Sequence, residues 1–149
     1  MKIFLSAFFI LQFLVSYSQK NLDTRITVTV EDTIDLLSAV KLAFVNSDFV
    51  VKDNHRVDTI STYPLNIKST TYMSVLAFIN GNTVEFWGYI ADTHSNLLGA
   101  TILPPSKEYT KIFYFKNDRY WKKLLSIAKN LNGNISYGKE RKELVNRRW

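Results

Sequence analysis

The chain has 149 residues, 46% of them hydrophobic and 21% charged, with a formal net charge of +6. These values suit one globular domain. The absence of cysteine excludes disulfides, a thiol nucleophile and lipid attachment at an amino-terminal cysteine.

Lys2 precedes an apolar run over 3–15 that only Ser6 and Gln12 interrupt, and Ser16 and Ser18 sit at the −3 and −1 positions of a cleavage site. The pattern predicts a secretory signal peptide over 1–18. The run of 13 residues is short for a membrane-spanning helix, which takes about 20. No later run is longer, so the mature chain is expected to carry no transmembrane span and to be exported, to the periplasm or beyond. Loss of Lys2 lowers its formal charge to +5. The expected organisation is a signal peptide over 1–18, a single domain over 19–138 and a basic tail over 139–149.

Residues 25–30 alternate, with Ile26, Val28 and Val30 on one side and Arg25, Thr27 and Thr29 on the other, which predicts a half-buried strand. Asp32 is a candidate helix cap, with Asp35 close to the positive end of the dipole. Leu36, Leu37, Val40, Ala43 and Phe44 recur at helical spacing and form the expected buried stripe. Residues 46–48 end this helix. A short strand is expected over 49–52, a turn over 53–55, and a weaker strand over 57–63, closed by Pro64.

The centre of the chain is a hairpin over 70–92. Asn80-Gly81 between alternating segments is the strongest local signal for one. As the two loop residues of a type I′ turn, they pair Ile79 with Asn82, Ala77 with Val84, Val75 with Phe86 and Met73 with Gly88. That face is apolar and is the expected core face. The other face carries Tyr72, Ser74, Leu76 and Phe78 opposite Tyr89, Trp87, Glu85 and Thr83. A one-residue slip would exchange the two faces.

Residues 92–110, with Gly99 and Pro104-Pro105, are expected to be mostly loop, and 112–115 an edge strand. Asn117 or Asp118 caps a second helix whose buried face holds Trp121, Leu124, Leu125, Ala128 and Leu131. Gly133 is its expected stop, and 135–137 a last strand. Strands in runs with helices near the ends predict an α+β fold: a twisted antiparallel sheet with two helices packed on one face.

The helix after the first strand, the meander ending in the Asn80-Gly81 hairpin and the late helix with Trp121 resemble a group of small exported bacterial proteins. These are common among bacteroidetes, have a TATA-binding-protein-like fold and have no assigned function. The resemblance rests on layout over most of the mature chain. It implies that fold and no catalytic residues. The DNA-binding role of the fold's namesake does not follow from layout.

Few residues suggest chemistry. His55 and His94 fall in expected turns without a second ligand at metal-binding spacing, so no metal or cofactor site is expected. No serine sits in a Gly-x-Ser-x-Gly elbow, and the five glycines form no phosphate loop. Glu31, Asp32 and Asp35 cluster where a helix start accounts for them. No catalytic residue is assigned.

The expected function is a non-catalytic binding or interaction module of the cell envelope. Its candidate site is an accessible aromatic patch on the second hairpin face, formed by Tyr72, Phe78, Glu85, Trp87 and Tyr89. Large exposed apolar patches mark interaction sites, and Tyr and Trp are enriched where binding energy concentrates. The partner is an envelope protein, a glycan or a second copy of the chain. Nucleic acid fits poorly, since the hairpin face carries an acid and no Lys or Arg. The alternative is a small periplasmic hydrolase whose acids converge near Glu85 and the 92–110 loop.

Overall fold

Two ten-residue strands, β4 (Thr71–Asn80) and β5 (Thr83–Asp92), form the spine of the sheet. Around them the computed structural model describes residues 19–31, 35–52, 56, 58–68, 70–95, 101–102, 109–115 and 118–139. The expected signal peptide and all of the expected tail except Lys139 lie outside the described residues.

The chain enters through β1 (Arg25–Thr29), helix α1 (Leu36–Val45), β2 (Thr59–Ser61) and β3 (Leu65–Lys68) before reaching β4. After β5 come β6 (His94–Ser95), β7 (Thr101–Ile102), β8 (Thr110–Lys111), helix α2 (Arg119–Lys129) and β9 (Asn134–Gly138). Among the described residues seven strands make one sheet in the order β2-β4-β5-β1-β9, with β3 also on β4 and β8 also on β5. Each of these ladders is antiparallel. Strands β6 and β7 pair separately, inside the segment expected to be mostly loop.

The hairpin register differs from expectation. Asn80 pairs with Thr83, Ala77 with Phe86, Val75 with Gly88 and Ser74 with Tyr89. The loop is therefore Gly81-Asn82. Gly81 takes φ 58, while Asn82 is not among the described positive-φ residues. A positive φ at the first loop position alone is the type II′ pattern. Asn80 stays in the ladder, and its carbonyl accepts from Thr83 Oγ1 at 2.7 Å. Moving the loop by one residue changes each pairing by two. Parity is kept, so both faces hold the residues expected of them. Val75 and Phe86 are both buried, but they are diagonal neighbours and not directly opposite.

Both helices cover the apolar face. Leu36, Val40, Ala43 and Phe44 of α1 and Trp121, Leu124, Ile127 and Ala128 of α2 join Ile26, Val28, Val75, Ala77, Val84 and Phe86 in one core. The Phe44 ring meets Phe86 edge-on at 6.0 Å. Helix α1 starts three residues later than the Asp32 cap predicts. Asp35 is the cap, and its carboxylate accepts from Ser38 N at 3.3 Å and Ser38 Oγ at 2.6 Å. Ser38 is the third helical residue, the position a capping side chain reaches. Asp118 caps α2, accepting from Tyr120 N at 3.0 Å.

Three other expectations need correction. Residues 49–52 form an isolated bridge and not a full strand: Val51 lies opposite Thr62, with Lys52 N–H donating to the Ser61 carbonyl and Tyr63 N–H to the Val50 carbonyl, each at 2.8 Å. Phe49 is instead drawn into the core, its ring 6.5 Å from Phe44. The strand expected over 57–63 is the shorter β2, which does close before Pro64, but pairing resumes beyond it in an unexpected β3, so that β2 and β3 lie end to end along β4 with Pro64 in the break. Buried Thr62 bridges the break, bonding both the Val75 carbonyl and, through Oγ1, the Val75 N–H. Gly133 is not the stop of α2. The C-cap is Asn130 and the left-handed residue is Asn132, at φ 53. Gly133 is small because β1 passes over it: a Cβ there would lie 2.5 Å from the Thr29 carbonyl oxygen.

Candidate functional site

The candidate residues share the sheet face away from the helices, because side chains alternate along a strand. Strand β5 presents Glu85, Trp87, Tyr89 and Ala91 there. Strand β4 sets Phe78 opposite Glu85, Leu76 opposite Trp87, Ser74 opposite Tyr89 and Tyr72 opposite Ala91. On the other side of β5, Thr27 faces Glu85 and Lys111 faces Tyr89. Tyr72, Phe78, Glu85, Trp87 and Tyr89 therefore do belong to one surface.

That surface is not the accessible patch expected from the sequence. Trp87 is 1% exposed, Tyr89 2% and Glu85 6%, while Tyr72 and Phe78 are half-buried. The expected Tyr72–Tyr89 and Ser74–Trp87 pairs are also replaced, since the register has moved. Alternation told which side of the strand these rings occupy. It could not tell that this side is enclosed. Near the rim, burial pushes the Tyr109 phenol above its usual range, with a second contribution from neighbouring Tyr72.

At the centre is an ion pair. Arg25, on the same face of β1, donates through Nη1 to Glu85 Oε1 at 2.9 Å. Its guanidinium lies over Gly138, where a Cβ would come within 3.1 Å of Nη2. Arg25 Nε, Ser74 Oγ and Trp87 Nε1 are buried on this face without a hydrogen-bond partner among the described residues. Arg Nε and the indole N–H can only donate, and a serine hydroxyl can donate. Ser74 and Trp87 are diagonal cross-strand neighbours, within mutual reach of one ligand group. Trp121 Nε1 is also buried without a hydrogen-bond partner among the described residues, but it lies in the apolar core under the other face.

Arg25 was not a site candidate in the sequence. Its polar phase on the first strand was visible, but its approach to Glu85 requires β1 to pair with β5. Of the hydrolase alternative, Glu85 and Asp92 are described, while residues 96–100 and 103–108 of the loop, with Glu108, lie outside the described residues. Asp92 closes β5 and accepts from Thr71 Oγ1 at 2.6 Å. It is seven residues along an extended strand from Glu85, about 23 Å away, and in the opposite phase. Among the described residues no group of three or more His, Cys, Asp or Glu side chains could hold a metal ion. No described helix is long and apolar enough to cross a membrane.

Comparison with family models, curated proteins and solved structures gives no match to the chain.

Proposed function

We propose that this chain is an exported, non-catalytic binding module of the cell envelope, and that the second face of its sheet is the recognition site. One observation carries this reading: three buried hydrogen-bond donors, Arg25 Nε, Ser74 Oγ and Trp87 Nε1, share that face without an acceptor among the described residues. An unpaired buried donor costs about 1–3 kcal/mol, and folded proteins keep few of them. These three donors, set beside the Arg25–Glu85 pair, suit the oxygens of a hydroxyl- or carboxyl-bearing group. The rings of Trp87, Tyr89, Tyr72 and Phe78 suit the apolar body of the molecule carrying it, and a carboxylate-bearing sugar of an envelope glycan combines both. Glu85 holds the Arg25 guanidinium. Export is supported by Lys2, the apolar run over 3–15 and Ser16 and Ser18. The TATA-binding-protein-like layout of exported bacteroidete proteins is part of the same reading, supported by an antiparallel sheet with two helices.

The Trp87 indole N–H resonance, assigned by its loss in Trp87→Phe, is the probe. Titration with N-acetylmuramate or glucuronate to millimolar concentration should shift it, and Ser74→Ala should weaken the shift without unfolding the protein. An indole resonance unmoved by either acid, in a folded sample, would sink the proposal.

A further inference from the structure

A different surface carries a second and independent inference. Residues 112–115 alternate: Ile112 and Tyr114 pack against the core, with Tyr114 5.7 Å from the Trp121 ring. Phe113 and Phe115 consequently point outward, 42% and 62% exposed. Leu22 lies beside them at 55% exposure. Its N–H donates to the Tyr114 carbonyl at 3.3 Å, and Tyr114 N–H donates to the Asp23 carbonyl at 2.7 Å. Leu22 is held at φ 73, a left-handed conformation that a bulky side chain adopts at a cost. The strain holds a large apolar side chain in solvent with little packing in return. Phe113 and Phe115 also line an open groove of about 440 Å³ with Ile90, Ile112 and Tyr120.

The surroundings are cationic. Lys20 is exposed in the Leu22 turn, whose one acid, Asp23, is buried and accepts from the Lys20 backbone N–H at 2.7 Å. Arg119 is exposed beside Tyr120, 6.0 Å from its ring. Lys139 follows Gly138, whose carbonyl accepts from Thr24 N–H. Asp118 is engaged as the cap of α2. Exposed aromatic and aliphatic side chains with exposed Lys and Arg on the adjoining segments match the interfacial zone of a bilayer: rings enter the headgroup layer, and amines meet anionic lipid phosphates. The formal charge of +5 from Gln19 onward, +6 less Lys2, adds long-range attraction of the same sign.

We propose that Leu22, Phe113 and Phe115 form a membrane-surface contact that seats the protein reversibly on an anionic bilayer. The test uses the protein from Gln19 onward, which carries every described element of the fold, with thermal melting as a check on folding. Flotation with vesicles of phosphatidylcholine containing one-third phosphatidylglycerol should carry the protein, and pure phosphatidylcholine should carry much less. Phe113→Ser/Phe115→Ser should lower the bound fraction by about tenfold or more, given what burying aromatic area contributes. Its melting temperature should hardly change, because both rings face outward. Arg119→Ser/Lys139→Ser should weaken binding to the anionic vesicles alone. Failure of the wild-type protein to float, or equal flotation of wild type and the Phe double variant, would overturn the proposal. Loss in that variant of a cross-linked envelope protein, with vesicle binding absent in both, would assign the surface to a protein and overturn it equally.

Discussion

Arg25 Nη1 donates to Glu85 Oε1 at 2.9 Å, joining residues 60 positions apart across the β1–β5 ladder. Both side chains are largely enclosed, at 17% and 8% exposure. Removing one member leaves a buried charge without its counter-ion, which costs about 3–5 kcal/mol in buried pairs. Arg25 retains some solvent, so Arg25→Ala should lie near the lower end, about 3 kcal/mol. Replacing both residues, as in Arg25→Met/Glu85→Leu, should recover most of that loss. Urea denaturation of the single and double variants measures the difference. A double variant as unstable as Arg25→Ala would mean that shape, and not charge, holds this face together.

The hairpin loop yields a test of register. Gly81 takes φ 58, and a side chain there costs about 1–2 kcal/mol. Gly81→Ala should therefore lower the denaturation midpoint. Asn80 is an exposed ladder residue without a positive φ, so Asn80→Thr should change stability by no more than about 0.5 kcal/mol. A type I′ turn over Asn80-Gly81 requires a positive φ at both positions. Comparable losses from the two substitutions would favour that turn over the observed one.

Two glycines should respond differently to the same methyl group. At Gly133 an added Cβ would lie 2.5 Å from the Thr29 carbonyl oxygen and 2.7 Å from Val28 Cγ1. At Gly88 the 2.5 Å contact is Ile112 Cδ1, the far end of a side chain that can change rotamer. Overpacking costs about 1–3 kcal/mol. Gly133→Ala should fall in that range, because β1 and the entry to β9 must separate, and Gly88→Ala should cost less. The order of their thermal midpoints decides the point; the reverse order would show that Ile112 is the more tightly held neighbour.

Helix α1 should loosen in acid. Asp35 has its carboxyl pKa held below the ordinary value of 3.8, first by the Ser38 hydroxyl and then by the Ser38 backbone N–H. A lowered folded-state pKa means that the ionised cap stabilises the native chain. That contribution is complete above 3.8 and is lost as pH falls through the lower folded value. Amide exchange in the first turn of α1 should accelerate in that acid window for wild type. In Asp35→Ala it should already be fast at neutral pH and show no such step. Matching acid profiles for the two proteins would remove Asp35 from the cap.

Much of this fold is written in local periodicity. The alternation over 25–30, the helical spacing through Leu36, Val40 and Phe44, and that through Trp121, Leu124 and Ala128 each determine one buried side. Parity likewise determines which hairpin residues share a face, and it survives the moved loop because both strands shift together. A local pattern states a period and a side; it does not state what lies across from that side. Which strand pairs with β5 is set by contacts distant in sequence, and those contacts bring Arg25 to Glu85. They also decide that Trp87 and Tyr89 are enclosed although their strand alternates like a solvated one. Residues 112–115 show the same limit: the run Ile-Phe-Tyr-Phe is apolar throughout. Only the position of Trp121 and the core below determines that Ile112 and Tyr114 turn inward and Phe113 and Phe115 face solvent.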